Sequence, residues 1–588
     1  MSSQGPIVVA GMHRSGTSLI SSVLAAMHVD MGHDTLVADR NNVRGYFEDI
    51  EFLELHRRIL NQCSPNDEGG HPDWGWTENE RLDRDSFKDF IPEAKALLAR
   101  RAENPSVWGW KDPRTSLLLD FWDALLDNGR YVFVYRFPWD VADSMQRLGE
   151  AVFLRHPEYA YDIWMFYNRH LRNFLLKNRH KCLLISVNAL QRHPDQLCDL
   201  LHQEFGLNTS DVDLKEIFES DLMTSSEATD PLINLVAATS PDCARLLTEL
   251  DGLADLSGSG LWQARPVVSR FRTAQSAQNN QSPVDVSIII PCCDDGQFLI
   301  EAIASVERVA PDNCELIIVN DGSNHPRTLA ILRTLKQCGY FILDQAHQGL
   351  SAARNAGIEL ASGRYILPLD ADNRARAGFI EDAVRVLDTS HEVGVVYGYR
   401  QFFGTQRGID DVPEFDFDEL LTFNYIDACA VFRKQVWIDC GGYDQTVSPC
   451  EDWELWINAS AKGWRFQRLP QITFDYRVRP GSLLSLTDDV AFLEAILERI
   501  ITKHYELYQP RLVKQLVRMK RSCAHQTRRL NRISEEHAEE RERLTFDVQV
   551  LTRRIGAANE ETQSLTAELD KQAQILKSMK SRGAGTEQ

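Results

Sequence analysis

A glycine-rich loop near the start of the chain has the residue types of a phosphate-binding site. The run from Gly11 to Ser18, GMHRSGTS, follows a strand-like segment and precedes an apolar helical pattern. Its spacing is that of a Walker A loop, but Thr17 stands where such loops carry their lysine. Backbone N–H groups at a helix N-terminus can cradle an anion without that lysine. The loop therefore predicts phosphate binding, and it argues against ATP or GTP hydrolysis because the lysine reaches the transferred phosphate.

A second phosphate contact is predicted where another strand-like run meets a helical pattern. Arg136 lies at the end of the strand-like run, and Ser144 lies in the helical stretch that follows. At this spacing the two side chains could converge on one further phosphate.

Acidic side chains mark the strand ends in the second half of the chain. Asp370 and Asp372 alternate at the end of RYILPLDADN, so both carboxylates are predicted to hold a divalent cation that neutralises a diphosphate leaving group. Asp321 ends the run ELIIVND, where a carboxylate can accept hydrogen bonds from a nucleotide base or ribose. Asp294, at an earlier junction of strand and helix, is expected to face the same nucleoside.

Alternating strand and helix patterns must position these side chains. In the first region, strand-like runs at 6–10 and 131–135 alternate with helical patterns such as the one at 19–27. Strand, helix and strand recur from Val286, so both regions predict α/β domains with parallel strands. The predicted organisation has four parts in chain order: a first domain over 1–265, a polar linker over 266–284, a second domain over 285–510 and a helical tail over 511–588.

The two phosphate motifs together resemble those of the sulfotransferase family that uses the sulfuryl donor PAPS. The resemblance covers about residues 5–210 and includes NVRGYFED at 42–49 and WKDPR at 110–114. It implies a P-loop sulfotransferase-like α/β fold. The loop residues implied to bind the 5′-phosphosulfate are Arg14, Ser15, Gly16, Thr17 and Ser18. Arg136 and Ser144 are implied to form the 3′-phosphate site.

Sulfuryl transfer needs charge stabilisation and a base for the acceptor proton. Arg14 and Lys111 are the candidates to stabilise the oxygens of the transferred group. Glu48 is the candidate base, with Asp34 and Asp49 as rivals. Capping of a helix N-terminus is the alternative role for Glu48 and Asp49. The C-terminal segment that completes the 3′-phosphate site in cytosolic small-molecule members is not found in the sequence.

The run of motifs from Val286 to about Ser485 resembles glycosyltransferase family 2, which has the GT-A, Rossmann-like α/β fold. The motifs VSIIIPCCDDG, ELIIVNDGS, HQGLSAARNAG and RYILPLDADN and a later Glu-Asp pair keep the family order. The resemblance implies a UDP- or GDP-linked sugar as donor and Mn²⁺ or Mg²⁺ at Asp370 and Asp372. Arg354 is implied to contact phosphate, with a structural ion pair as the alternative.

The later pair, Glu451 and Asp452, resembles the acidic motif of this family. By resemblance, Asp452 deprotonates the acceptor hydroxyl in an inverting displacement, with Glu451 as the rival or supporting carboxylate. Both acids could instead cap a helix. In the loop 476–482, Arg477 or Arg479 is implied to contact the diphosphate. The processive QxxRW signature is absent.

The last region predicts a long helical coiled-coil tail. Mostly apolar residues recur alternately four and three positions apart over 544–579, with charged residues between them. This pattern predicts a homo-oligomer, and a single docked helix is the alternative. Basic residues from Arg511 to Arg532 occur with no acid among them. They predict either a solvated helix face or peripheral contact with anionic lipid or an acidic partner.

Composition narrows the class of protein. The chain has 588 residues, of which 43% are hydrophobic and 25% charged, as in ordinary globular proteins. Its net charge of −21 argues against a nucleic-acid binder. Its 12 cysteines have no paired CxxC spacing, and the adjacent Cys292 and Cys293 are interpreted as structural. With no signal-like start and no long apolar run, the sequence predicts a cytoplasmic protein, including peripheral contact with the inner face of the membrane.

Taken together, the motifs predict a bifunctional transferase in sulfated glycan or surface polysaccharide biosynthesis. One domain would transfer a sugar to a saccharide or glycolipid acceptor, and the other would transfer a sulfuryl group from PAPS to a saccharide hydroxyl. The alternative keeps the glycosyltransferase active and makes the first domain a binding or regulatory module. A scaffold without enzymatic activity is disfavoured by the intact acidic motifs.

Overall fold

The computed structural model divides into two compact units, Met1–Tyr505 and Glu506–Gln588. The residues that the structure describes are 5–32, 35, 47–65, 67–103, 106–209, 212, 217, 226–271, 283–482, 489–520 and 541. Asp34 and the heptad pattern over 544–579 lie outside these residues, so the coiled coil and the oligomer that it implies stay predictions.

The first half of Met1–Tyr505 contains a four-stranded parallel sheet. Its strands and those of a small hairpin are β1 Ile7–Gly11, β2 Gly70–His71, β3 Trp76–Thr77, β4 Gly109–Lys111, β5 Arg130–Tyr135 and β6 Cys182–Ser186. The sheet has the order β4-β1-β5-β6, and β2 pairs with β3 antiparallel. Every residue of β1 is buried, because a central parallel strand is covered on both faces.

Helices cover both faces of this sheet. They are α1 Thr17–Ala26, α2 Ile50–Cys63, α3 Ile91–Ala102, α4 Leu119–Asp123, α5 Pro138–Leu148, α6 Ala151–Arg155, α7 Tyr159–Lys177, α8 Val187–Leu190, α9 Asp195–Phe205, α10 Pro231–Thr239 and α11 Pro241–Leu253. Side chains alternate along β1, so Ile7 and Val9 pack in one core with α1 and α9, whereas Val8 and Ala10 pack in another with α2 and α7. The strands and the helix predicted for this region are present.

The second half contains a nine-stranded mixed sheet. Its strands are β7 Val286–Cys292, β8 Cys314–Asp321, β9 Phe341–Gln345, β10 Tyr365–Pro368, β11 Arg374–Ala375, β12 Val393–Gly404, β13 Gly408–Asp410, β14 Val431–Arg433 and β15 Arg465–Val478. They follow the order β11-β15-β12-β14-β10-β7-β8-β9, with β13 paired to β12. The run β10-β7-β8-β9 is parallel, so the carboxyl ends of these strands share one edge. The predicted α/β class is confirmed for both halves.

The helices of the second half begin with α12, which crosses from β7 to β8. In chain order they are α12 Gly296–Val309, α13 Pro326–Gln337, α14 Leu350–Leu360, α15 Phe379–Thr389, α16 Phe417–Leu420, α17 Lys434–Cys440, α18 Glu451–Ala461 and α19 Val490–Lys503. The short helix α20 Tyr505–Tyr508 begins at the last residue of this unit, and its other residues belong to the second unit. The buried carboxylate of Glu454 lies 2.7 Å from His504 Nε2 and 3.0 Å from Lys503 Nζ. These contacts attach the end of α19 to α18.

Helix α10 belongs to the cores of both halves. Asp230 caps its N-terminus by accepting a hydrogen bond from the backbone of Leu232 at 2.8 Å. Ile233 packs in the core of the first sheet, and Leu235 packs in the core of the second. The predicted linker also packs where it is described, because Phe271 is buried in the second core. The domain boundaries at 265 and 284 stay predictions, since both halves lie in one compact unit.

A largely buried ionic group, here called the interface cluster, joins the two halves. Glu301 on α12 binds Arg374 at 2.7 Å and Arg477 at 2.5 Å, and it accepts a hydrogen bond from the amide of Gln146 on α5. The side-chain carbonyl of Gln146 in turn accepts a hydrogen bond from Arg374 at 2.9 Å. Burial acts to raise the pKa of Glu301, but the charges of the two arginines outweigh it and lower this pKa to about 2.

The described part of the second unit covers residues 506–520 and 541. Leu512, Val513 and Leu516 are exposed there, in the stretch that also carries the first of the predicted basic residues. Among the described helices, none is both long and apolar enough to cross a membrane.

We expect Glu301→Gln to lower the free energy of unfolding by ~3 kcal/mol, because it leaves the fully buried guanidinium of Arg477 and the partly exposed one of Arg374 without their anion. Asp162→Asn is the matched control. Asp162 also joins the two halves, through Arg327 at 2.7 Å, but this pair has no fully buried member, so its loss costs under about 1 kcal/mol. Denaturant unfolding of the full chain measures both. Equal losses in the two variants would contradict a special role for the interface cluster.

Candidate functional site

Five acidic residues gather at the carboxyl edge of the second sheet. They are Asp294, Asp295, Asp321, Asp370 and Asp372, which follow or end strands β7, β8 and β10. Because these strands are parallel neighbours, their carboxyl ends meet, and ligands of open α/β sheets bind in such a crevice. The position agrees with the nucleotide and cation site that the sequence predicts.

Each carboxylate of the predicted cation pair is held by an arginine. Asp370 Oδ1 accepts a hydrogen bond from Arg354 Nη2 at 2.5 Å, and Asp372 Oδ2 accepts from Arg479 Nε at 2.8 Å. The side chain of Asp370 is 33% exposed and that of Asp372 is 15% exposed, so a cation can reach both. Oxygen donors of this kind suit Mn²⁺ or Mg²⁺.

Arg354 connects the cation pair to the predicted base. Its guanidinium is buried and binds both Asp370 and Glu451. Glu451 begins helix α18, and Asp452 follows it in the first turn. This bridge is the ion pair that the sequence left open as an alternative to phosphate contact for Arg354. Glu451, the rival or supporting carboxylate of the prediction, therefore has an arginine as its partner.

Asp452 lies in a setting that favours its protonated form. Its Oδ1 accepts hydrogen bonds from Asn424 Nδ2 at 3.1 Å and from the Trp453 backbone at 2.7 Å. Burial, followed by the negative charges of Glu451 and Asp427, raises the pKa of Asp452 well above its usual range. A carboxyl group with a raised pKa is the type of group that serves as a general base near neutral pH.

The two residues expected at the nucleoside both bind backbone amides. Asp321 accepts from the amides of Gln348 and Gly349, each at 2.9 Å. Asp294 accepts from the amides of Asn324 and His325 at 2.8 and 2.7 Å. Each carboxylate thus orders the loop next to it. The backbone of Asp294 has a positive φ of 57°.

The loop that ends β15 gives different partners to its two arginines. Arg477 is fully buried in the interface cluster, and its Nε donates to the carbonyl of Asp372 at 3.0 Å. Arg479 remains partly exposed and also binds both oxygens of Asp295 at 3.0 Å. Of the two candidates for the diphosphate contact, Arg479 is the one that borders the cation pair with its side chain.

Sequence reasoning missed two acids of this site. Asp295 is buried enough to raise its pKa to about 6, despite the neighbouring Arg479. The adjacent pair Asp294-Asp295 was the sequence signal that could have identified Asp295. Burial also raises the pKa of Asp427, which binds Arg400 at 3.1 Å, and the negative charge of Asp370 acts in the same direction. Asp427 lies in a segment without a recognisable motif, so no local signal could have found it.

In the first half, β1 is followed by the predicted phosphate loop and then by α1. Gly16 has φ 88°, and a Cβ there would lie 2.7 Å from Val187 Cγ2, so glycine is required on both counts. His13 stacks on Trp74 at 3.9 Å. Burial lowers the His13 pKa well below its usual value. Among the described residues, buried His13 Nε2 and Ser15 Oγ find no hydrogen-bond partner.

The structure brings the two predicted phosphate motifs together. Arg14 Nε donates to Ser144 Oγ at 3.0 Å, and Arg136 Nη1 donates to the carbonyl of Arg14 at 3.4 Å. Arg136 is itself fixed through its carbonyl, which accepts from Trp164 Nε1 at 2.8 Å. Residues far apart in sequence therefore line one place beside the loop that begins α1.

Lys111 and Glu48 form a buried ion pair, with Nζ and Oε1 separated by 2.7 Å. Asp49, a rival for the role of base, accepts the backbone amide of Glu51 at 3.0 Å as the N-cap of α2 and binds Arg101 at 3.0 Å. It thus has the capping role that was its alternative. Asp34 lies outside the described residues.

The residue after Lys111 in the WKDPR segment is the centre of a separate buried network. Asp112 is fully buried and binds His56 Nδ1 at 2.8 Å and Arg114 Nη1 at 3.1 Å. Trp122 Nε1 donates to His56 Nε2 at 2.9 Å, so the His56 proton lies on Nδ1. Burial acts to raise the pKa of Asp112, but Arg114 and His56 outweigh it and hold this pKa below its usual range.

Two family models match the chain in the order that the motifs predict. Residues 6–211 match the Sulfotransferase family, and residues 287–441 match Glycosyl transferase family 2. The chain therefore carries a sulfotransferase-family domain followed by a glycosyl transferase family 2 domain.

Individual relatives are distant. The chain is 24% identical over 250 residues to an uncharacterized protein, y4gI, of Sinorhizobium fredii, and this match covers 40% of the chain but only 28% of that protein. It is 25% identical over 207 residues to the UDP-Glc:alpha-D-GlcNAc-diphosphoundecaprenol beta-1,3-glucosyltransferase WfaP of Escherichia coli, covering 34% of the chain and 79% of WfaP. Among solved structures, S. aureus TarS 1-349 in complex with UDP-GlcNAc is 19% identical, with a TM-score of 0.30 over 34% of this chain and 60% of that one.

Proposed function

We propose that the second domain transfers a sugar, with inversion, from a UDP- or GDP-linked donor to a saccharide or glycolipid acceptor. The family match supports glycosyl transfer, and the name of WfaP gives that relative a UDP-linked donor and a lipid-diphosphate acceptor. The observation that carries the proposal is the buried bridge of Arg354, which ties Asp370 to Glu451 next to Asp452.

In this proposal, Asp370 and Asp372 hold Mn²⁺ or Mg²⁺. The donor set fits such a cation because it consists of partly exposed carboxylate oxygens. When bound, the cation neutralises the diphosphate leaving group. Arg479 adds a positive charge at the same place. Asp321 and Asp294 face the nucleoside in this proposal, and each also orders the loop beside it.

Asp452 is the proposed base. Its carboxylate takes the proton of the acceptor hydroxyl while that oxygen forms the new glycosidic bond, and the nucleoside diphosphate leaves with the electron pair of the broken bond. Asn424 and the Trp453 amide hold the carboxylate in one orientation. Burial raises the pKa of Asp452 most, and the negative charge of the adjacent Glu451 raises it further.

We further propose that the first domain transfers a sulfuryl group from PAPS to a saccharide hydroxyl. The convergence of Arg14, Arg136 and Ser144 supports a second phosphate contact beside the loop. Arg136 is 5% exposed, and burial lowers the pKa of its guanidinium, so a bound phosphate would offset the cost of burying this charge. The unsatisfied Ser15 Oγ and His13 Nε2 fit a polar ligand in the loop.

Lys111 and Arg14 are proposed to stabilise the charge that develops on the transferred group. Glu48 is the proposed base, because it lies in a buried ion pair with Lys111, the candidate that would stabilise the transferred group. The oxygen of the acceptor attacks sulfur, Glu48 takes the acceptor proton, and adenosine 3′,5′-bisphosphate leaves. The alternative, a domain that only binds the nucleotide, differs in that this last product never forms.

Assembly and location complete the proposal. We propose a cytoplasmic homo-oligomer joined by the coiled coil of the tail. Its basic segment from Arg511 onward would contact the inner face of the membrane, where a lipid-linked acceptor is presented.

The pH dependence of glycosyl transfer tests the base. We expect kcat/KM for UDP or GDP release to keep rising at pH values well above those at which an ordinary carboxyl group loses its proton. The reason is that Asp452 acts only when deprotonated and has a raised pKa. Asp452→Asn lowers kcat by about 10²-fold or more. Glu451→Gln shifts the rising limb to lower pH by about one unit, because it removes a like charge.

Glu392→Gln is the control for these variants, since Glu392 is exposed and its nearest cation, Arg465, is 3.9 Å away. We expect its profile to match that of the wild type. A profile that Glu451→Gln leaves unmoved would contradict the coupling of the two acids, and full activity in Asp452→Asn would exclude Asp452 as the base.

Product analysis tests sulfuryl transfer separately. With PAPS and saccharide acceptors, we expect Arg14→Ala and Lys111→Met each to slow the formation of adenosine 3′,5′-bisphosphate by about 10²-fold or more, with glycosyl transfer retained. Arg58→Ala is the control, because Arg58 forms an exposed ion pair with Glu93. Wild-type protein that binds PAPS in calorimetry but forms no product would favour the binding module instead.

A further inference from the structure

Three side chains with the ligand types of a softer metal gather at the edge of the second sheet. Cys293 directly follows β7, Asp321 ends β8 and His347 follows β9. These three strands are consecutive parallel neighbours, so their carboxyl ends bring the three residues together. One ligand atom from each residue lies within 4.8 Å of the others.

The distances approach those of a tetrahedral site. His347 Nδ1 lies 2.9 Å from Asp321 Oδ2 and 3.6 Å from Cys293 Sγ. Zn²⁺ ligands at about 2.0–2.3 Å from the metal stand about 3.3–3.6 Å from one another. The sulfur–nitrogen pair already has this separation. The nitrogen–oxygen pair needs to open by a few tenths of an ångström, which the exposed histidine ring allows.

The surroundings hold the ligands in place. Asp321 is 3% exposed, and the amides of Gln348 and Gly349 donate to its two oxygens, which fixes the carboxylate as outer hydrogen bonds fix metal ligands. Gly322 has φ 69°, and a Cβ there would lie 2.5 Å from the backbone of His347. Glycine at this position therefore lets the histidine loop approach Asp321.

We propose that Cys293, Asp321 and His347 bind a borderline-soft divalent cation such as Zn²⁺, and that this cation excludes the nucleoside of the sugar donor. The second part rests on the proposed glycosyl transfer, which assigns Asp321 to the nucleoside. A set of sulfur, nitrogen and oxygen ligands prefers Zn²⁺ to Mg²⁺ or Mn²⁺, whereas Asp370 and Asp372 offer oxygen alone. One domain thus holds two cation sites with opposite selectivity.

The site is open on one side. Cys293 is exposed and the His347 side chain is 66% exposed, so the fourth position faces solvent. Cation binding displaces the thiol proton of Cys293 and places the His347 proton on Nε2, so that Sγ and Nδ1 both become ligands. The carboxylate that would otherwise meet the nucleoside is then occupied.

Cobalt substitution in the full-length protein tests the site itself. Titration with Co²⁺ should give a thiolate-to-cobalt charge-transfer absorption that saturates at a single equivalent and is displaced by Zn²⁺. Cys293→Ser should abolish this absorption and His347→Gln should weaken cobalt binding. Cys338→Ser, the control at another partly exposed thiol, and Asp372→Asn should both retain it. An absorption that survives Cys293→Ser, or none in the wild type, would overturn the site.

Nucleotide calorimetry tests the exclusion. With Mn²⁺ present, Zn²⁺ at about ten times its Kd should weaken the binding of UDP or GDP about tenfold in the wild type. The same Zn²⁺ concentration should have little effect in His347→Gln. Undisturbed nucleotide binding in the zinc-loaded wild type would overturn the exclusion. Wild-type protein that binds neither nucleotide would contradict both the proposed UDP- or GDP-linked donor and its exclusion by Zn²⁺. The cobalt absorption would still show whether the cation site exists.

Discussion

A carboxylate largely buried between two halves of a protein must be neutralised, and much of this structure depends on how Glu301 is neutralised. Arg374 and Arg477 do so from strands β11 and β15, and Gln146 completes the set from helix α5. The same helix carries Ser144 one half-turn earlier, and Arg477 also binds the carbonyl of Asp372. One ionic cluster therefore sets the positions of residues from both candidate sites.

Internal partners already occupy the basic groups of both sites. Arg354 and Arg479 bind the acids of the cation pair, and Arg14 binds Ser144. An incoming phosphate or cation must therefore replace an existing contact, because the side chains that would bind it already have partners. This arrangement suits a chain with a net charge of −21, in which an unbalanced acidic site would otherwise repel anionic donors. Each site is attractive to an anion only where local arginines, backbone amides and a cation outweigh that charge.

The sequence predicted what local patterns control. Strand β1, the loop with Gly16 and helix α1 follow from an apolar run, a glycine-rich motif and an apolar helical pattern, so they are where the motif places them. Asp370 and Asp372 follow from alternation at a strand end. In contrast, the bridge from Arg354 to Glu451 and the contact of Gln146 with Glu301 join residues 97 and 155 positions apart. Such pairs depend on how elements pack, and no local pattern encodes them. Asp427 belongs to the same class, because its contact with Arg400 and its effect on the pKa of Asp452 join residues from different elements.

Helix α10 changes what the polar segment after residue 265 implies. A linker of that composition usually marks two modules that could be exchanged between proteins, each with its own core. Here Ile233 completes the first core and Leu235 the second, although both precede the linker. A cut at the linker would strip apolar cover from the second half, and a cut before α10 would strip it from the first. The two domains have separate motifs but share helix α10 between their cores. Neither domain could therefore be transferred alone to another protein with its core intact. The smallest unit that recombination or engineering could move intact is the pair.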